Sequence, residues 1–286
     1  NAQGLVENVQ ILSSNLVQNG DFSEQGAEEV SNGSFSQEGA EQVTSFTNGT
    51  TYPFSTFTSL DNNITSAIIN SNFAGCVSNS ISVTSSQIYK VSFNYTKNSG
   101  DDLRVVFSSV VSGAGAQTSN AELVSTSGSI TLYLTISSSG TSYLQLGTAS
   151  GSASIDFSIS NLSVREVGQD WVLGGSGLNT ATIGSNSATI TSVDGNSYLQ
   201  QNSVFTSGKS YKISYEILSS SGSSVLKMIS SLGLATVPTT VGTHTVYGTA
   251  TTTTFYIERT SNGMSASITN ISVKEVGQNW VLGGTA

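Results

Sequence analysis

The chain has 286 residues, of which 9% are charged and 36% hydrophobic, and its nine Lys plus Arg against eighteen Asp plus Glu give a formal charge of −9. That acidic balance counts against a nucleic-acid partner, whose affinity rests on cationic contacts, and against an anionic membrane surface. No apolar run approaches the roughly 20 residues of a membrane helix. A single cysteine, Cys76, leaves no internal disulfide or cysteine metal cage and reads as a small buried apolar residue.

Residues 1–14 hold one apolar stretch, Gly4–Leu12, outside any repeat. It reads equally as a strand or linker and as an N-terminal arm that pairs with another subunit's open sheet edge. No signal peptide is visible, and the chain starts at Asn1 without Met, so an N-terminal portion is expected to have been removed or to lie elsewhere. Next comes a short duplication. Asn19-Gly-Asp-Phe-Ser-Glu-Gln-Gly-Ala-Glu-Glu-Val30 returns as Asn32-Gly-Ser-Phe-Ser-Gln-Glu-Gly-Ala-Glu-Gln-Val43. Asn-Gly supplies a turn and the Phe a single apolar anchor. The acidic residues Glu24, Glu28, Glu29, Glu38 and Glu41 read as a solvated surface, with a structural calcium as the other reading, because carboxylates suit that hard cation.

From Tyr52 on, strands dominate. Ile88–Thr96 alternates, placing Tyr89, Val91, Phe93 and Tyr95 on one face, and Tyr211–Ile217 repeats it with Tyr211 at the place of Tyr89. Ser129–Ser137 and Thr141–Gly147 read as a hairpin, with Thr243–Thr251 and Thr253–Arg259 as its counterpart. In that construction Tyr133 and Tyr143 stand outside as diagonal cross-strand neighbours, and Tyr247 falls opposite Tyr256. Exposed paired tyrosines stack against sugar rings, so these four are the candidate glycan-binding residues; outer-face filling or a subunit contact is the alternative.

The longest repeat closes each half. Asn161-Leu-Ser-Val-Arg-Glu-Val-Gly-Gln-Asp-Trp-Val-Leu-Gly-Gly175 returns as Asn270-Ile-Ser-Val-Lys-Glu-Val-Gly-Gln-Asn-Trp-Val-Leu-Gly-Gly284. Each copy reads as a seam: the last strand of one domain, a Gly-Gln turn, and the first strand of the next. Its second copy stands where a third module would start. No window shows helical periodicity, and turn signals recur throughout, so the fold class is all-β: two tandem β-sandwich (jelly-roll) domains. The boundaries are 1–14 for the arm, 15–168 for module 1, 169–278 for module 2 and 279–286 for a C-terminal strand or the start of a further module.

No catalytic set emerges. His244, the one histidine, shares strand parity with Val246 and Ala250, and no Gly-x-Ser-x-Gly elbow accompanies it. Asp101 and Asp102 sit in a turn, where Asp favours local backbone hydrogen bonds. Asp61, Asp156, Asp194 and Glu216 are scattered, so no carboxylate pair stands out for sugar hydrolysis. The expectation is a non-enzymatic protein with no cofactor and no metal ligand set. Asn-x-Ser/Thr triplets at Asn48, Asn63, Asn94, Asn161 and Asn270 are what chance gives in so Asn-, Ser- and Thr-rich a chain.

The residues carry a resemblance. Trp171-Val-Leu-Gly-Gly, Tyr198-Leu-Gln-Gln, Gly208–Tyr215 and Ile268–Val276 make module 2 resemble a module repeated in bacteriophage tail-fibre and other virion proteins. Module 1 is similar, through Ile64–Ile68, Ser78–Val83, Tyr89–Arg104 and Asn161–Glu166. Both are similar to carbohydrate-binding-module jelly rolls whose first strand reads Asn-Leu-x-x-Asn-Gly-x-Phe. In those, a Glu after the Phe and an Asp opening the last strand can hold calcium; here Ser23 and Asn161 stand at those places. The resemblance implies a phage virion surface protein, a fibre or adhesin presenting such modules to host or glycan. A capsid decoration protein whose modules mediate subunit assembly is the alternative. Implied partners are other virion subunits and host-surface glycan, in a homo-oligomer at the extracellular virion surface. No nucleic-acid partner and no membrane insertion are expected.

Overall fold

The computed structural model describes residues 19–60, 63–68, 75–111, 117–148, 154–222, 225–259, 263–278 and 280, excepting the side chains of 66–68. The arm at 1–14, and 279 and 281–286 of the C-terminal segment, lie outside the described residues. In chain order the strands are β1 (Gln25–Glu28), β2 (Glu38–Glu41), β3 (Phe46–Asn48), β4 (Thr56–Leu60), β5 (Asn63–Ile68), β6 (Gly75–Ser78) and β7 (Ile81–Val83). Then come β8 (Ile88–Gly100), β9 (Leu103–Ser108), β10 (Glu122–Val124), β11 (Gly128–Thr135), β12 (Gly140–Gly147) and β13 (Ile155–Val167). Module 2 continues with β14 (Val172–Gly175), β15 (Thr180–Gly184), β16 (Ser187–Ser192), β17 (Ser197–Gln201) and β18 (Ser210–Gly222). It ends with β19 (Leu226–Met228), β20 (Leu234–Val237), β21 (Gly242–Thr249), β22 (Phe255–Arg259) and β23 (Met264–Val276). A single helical turn, α1 (Ile229–Leu232), joins β19 to β20.

Each module is a sandwich of two antiparallel sheets. Module 1 sets β11-β8-β13-β5-β4 against β10-β9-β12-β6-β3, and module 2 sets β21-β18-β23-β16-β15 against β20-β19-β22-β17-β14. The strand order is the same in both, as the sequence duplication requires. Alternation directs the packing: Tyr89, Val91, Phe93 and Tyr95 are at most 3% exposed, and Tyr211, Ile213, Tyr215 and Ile217 at most 1%. Cys76 is a buried free thiol among them.

Two expectations are corrected. The stretches at 129–137 and 141–147 do not pair with each other: β11 pairs with β8, whereas β12 pairs with β9, β6 and β7. Likewise β21 pairs with β18 and β22 with β17. Both strands of each supposed hairpin carry an apolar inner face, and a sandwich buries both by sending the chain across to the opposing sheet. Tyr133 and Tyr143 therefore stand on opposite layers, as do Tyr247 and Tyr256. Secondly, the segment at 19–30, expected as the opening of module 1, joins module 2: β1 pairs with β23, and β2 pairs with β13. Each 12-residue copy is thus a clasp laid on the end of one module's last strand. In β13, β5 covers residues 155–159 and β2 covers the other half of the same edge, which would otherwise stand open.

Candidate binding surfaces

Both clasps grip their seam by the same contacts. In the inner one, the Trp171 indole N–H donates to the Asn32 carbonyl at 3.0 Å, and the Phe35 ring lies 5.1 Å from Trp171. In the outer one, Trp280 donates to the Asn19 carbonyl at 3.0 Å, with Phe22 again 5.1 Å away. The Glu41 carboxylate accepts the Val164 N–H at 2.7 Å and the Ser163 hydroxyl at 2.6 Å. Glu28 does the same for Val273 at 2.6 Å and Ser272 at 2.5 Å. These two acidic residues hold backbone donors. Glu38 pairs with Lys90 at 2.5 Å, leaving Glu24 and Glu29 as the solvated members of the group.

The two clasps differ in what lies over them. Phe35 and Trp171 are 2% and 8% exposed beneath module 2, whereas Phe22 and Trp280 are 58% and 41% exposed. Trp171 stacks edge-on against Phe255, which meets Phe205 and then Tyr211, so one aromatic chain runs from the inner seam into module 2's core. Tyr133 belongs to this junction: its hydroxyl accepts the Ser185 N–H at 2.8 Å and its ring packs on Gly184. Tyr133 stands opposite Lys90 in register and Tyr247 opposite Lys212, so the two tyrosines are counterparts. Tyr247 is 60% exposed, beside Phe22 and Trp280 in an open hollow of about 1010 Å³. Burial lifts the Glu166 carboxyl at the inner seam above its ordinary range, with the hydrogen bond from Gln87 opposing. At the outer one Lys209 pairs with Glu275 at 2.8 Å, which raises the ammonium's pKa.

A second surface lies on the outward side of module 2's five-stranded sheet. The rings of Tyr198 and Tyr256 sit 6.0 Å apart at 63°. Tyr198 lies over β14, where a Cβ on Gly174 would meet its ring at 2.0 Å, so a glycine is what makes room for it. In register, Gln200 stands opposite Tyr256, Glu258 opposite Tyr198, and Lys227 opposite Glu258. The Ser230 N–H donates to Glu258 at 2.9 Å and fixes that carboxylate. Half-buried aromatic faces rimmed by an amide, a carboxylate and an ammonium can stack on the C–H face of a pyranose and bond its hydroxyls. Tyr198 is not among the four candidate tyrosines read from the sequence, although its outward parity within β17 and the Gly-Gly of β14 are both legible there.

Of the four candidate tyrosines, the structure brings no two together. Tyr133 is in the junction, Tyr143 half-buried on β12 opposite Ser108, Tyr247 on the outer hollow, and Tyr256 beside Tyr198. His244 sits half-buried at a rim, its ring 5.5 Å from Tyr215, with Nε2–H donating to the Thr240 carbonyl at 2.6 Å. Asp101 accepts the Ser154 N–H at 2.9 Å and Asp102 pairs with Lys97 at 2.9 Å, so they serve different partners. Asp156, Asp194 and Glu216 each accept an asparagine amide, from Asn98, Asn179 and Asn270; Asp61 lies outside the described residues. Among the described residues no three His, Cys, Asp or Glu side chains gather so as to hold a metal ion.

No family model and no curated protein matches the chain. Among solved structures it is similar to the N-terminal CBM22-1–CBM22-2 tandem domain of Paenibacillus barcinonensis Xyn10C, with 13% identity and a TM-score of 0.31, over 89% of this chain and 98% of that one.

Proposed function

We propose that the chain is a non-enzymatic attachment protein of a phage virion, a fibre or adhesin whose β-sandwich modules bind host-surface glycan. The observation that carries the glycan reading is the Tyr198–Tyr256 pair, with Tyr198 lying over Gly174, rimmed by Gln200, Glu258 and Lys227. The virion setting is supported by the resemblance of both modules to those repeated in tail-fibre proteins. The test is a glycan array probed with the full chain, followed by calorimetric titration of the best binder. Tyr198→Ala and Tyr256→Ala are each expected to weaken binding about tenfold, the loss of roughly 1.4 kcal/mol that one stacking aromatic supplies. Tyr143→Ala should leave it unchanged. An array without signal, or titrations indifferent to both tyrosines, would sink the proposal.

Capsid decoration is the second reading, favoured by one observation: Tyr133 and the first clasp hold the two modules together. Antibody labelling of particles under the electron microscope separates the two, on the tail for a fibre and over the head for a decoration.

A further inference from the structure

We infer that the outer face, made by the first clasp on the end of β23, is the seat of a further β-sandwich module of module 2's kind. The inner seam shows what such a seat looks like when filled. There module 2 covers Phe35, Trp171 and Tyr133, and the corresponding trio Phe22, Trp280 and Tyr247 stands open. The glycines of the two Gly-Gln turns tell the same story. Gly168, at φ 73°, has the Ile183 δ-carbon only 2.6 Å from where a Cβ would be, whereas Gly277, at φ 71°, has nothing within 4 Å of that point. One seam has been closed by a neighbour, and its twin has the same shape without one.

The chemistry of the seat selects its occupant. Module 2 fills the inner one with Ile183 against the turn glycine, the Ser185 N–H on the tyrosine hydroxyl, Gly184 beneath that ring, and Phe255 on the tryptophan. A second copy docking through its module 1 does not offer this set. At the matching end of β4, which closes on β5 at Leu60 opposite Asn63 as β15 closes on β16 at Gly184 opposite Ser187, Ser59 replaces Ile183 and Leu60 replaces Gly184. Val281-Leu-Gly-Gly284 repeats residue for residue the sequence of β14, with which module 2 begins. The seat differs in one apolar group, with half-buried Ser210 where the inner seam has buried Ile88. This surface is distinct from the Tyr198–Tyr256 face, and its fate does not depend on glycan binding.

The experiment extends the full chain after Gly284 by a second copy of residues 176–280 and follows amide hydrogen exchange. Residues 19–30 should slow to the exchange rate of residues 32–43, and Tyr247→Ala with Trp280→Ala should return them to the rate of the unextended chain. The inference falls if the added module shows protected core amides while residues 19–30 exchange as before. Should the added module not fold, a second variant decides: the full chain with the differing residues that line the outer hollow transplanted inward (E38Q, S86G, Q87K, I88S). Continued burial of Trp171 fluorescence supports the seat, and exposure of Trp171 with two separate unfolding transitions overturns it.

Discussion

Asn161 and Asn270 stand inside 13-residue strands with φ of 55° and 51°, a left-handed conformation that costs most L residues about 1–2 kcal/mol and asparagine less. At that point β13 takes three steps, from Ser160 to Ser163, while β8 takes two, from Asn94 to Ser92. The bulge turns the Ser163 and Val164 donors toward Glu41, and its twin turns Ser272 and Val273 toward Glu28. Asparagine at the head of the seam is thus explained by backbone geometry. Asn161→Gly should change stability by a few tenths of a kcal/mol, and Asn161→Val should cost about 1–3 kcal/mol, read from urea midpoints. Equal costs for the two would show that something other than the left-handed φ selects the residue.

At the scale of elements, the clasps are near-identical in sequence and differ in what covers them. Phe35→Ala removes a ring that is 2% exposed and should cost about 3–5 kcal/mol. Phe22→Ala removes one that is 58% exposed and should stay within about 0.5 kcal/mol in this chain. Matched urea titrations check the contrast, and similar losses would mean that burial does not set the worth of the clasp. The strands themselves were legible, because period-2 alternation is a local signal and β8 and β18 carry it openly. The supposed Tyr133–Tyr143 hairpin failed for a physical reason: inward parity says which face of a strand is apolar, and a sandwich has two inner faces.

Across the whole molecule, the clasps run in reverse order to the modules they serve: the first reaches module 2, with Glu28 bonded to Val273 at 245 residues' separation, and the second reaches module 1. The turn between them is held on module 2, where Ser31 and Gln201 exchange hydrogen bonds at 2.8 and 3.0 Å and the Ile271 N–H meets the Gly33 carbonyl at 3.0 Å. With Trp171 linking this to Phe255, the modules should unfold together in one calorimetric transition. Trp171→Ala should split that transition into two. A single transition in the variant would place the coupling elsewhere.

The amino-acid sequence alone determined that a β-sandwich plan is written twice and which residues of β8 and β18 face each core. These are properties of local periodicity and of internal identity, visible without knowing any partner. Only the tertiary structure decided which clasp serves which module, which sheet receives β12 and β22, and which tyrosines meet. Two clasps that share their anchoring residues fit either seam equally well as sequences, so the choice rests on chain connectivity and on the packing of side chains hundreds of residues apart.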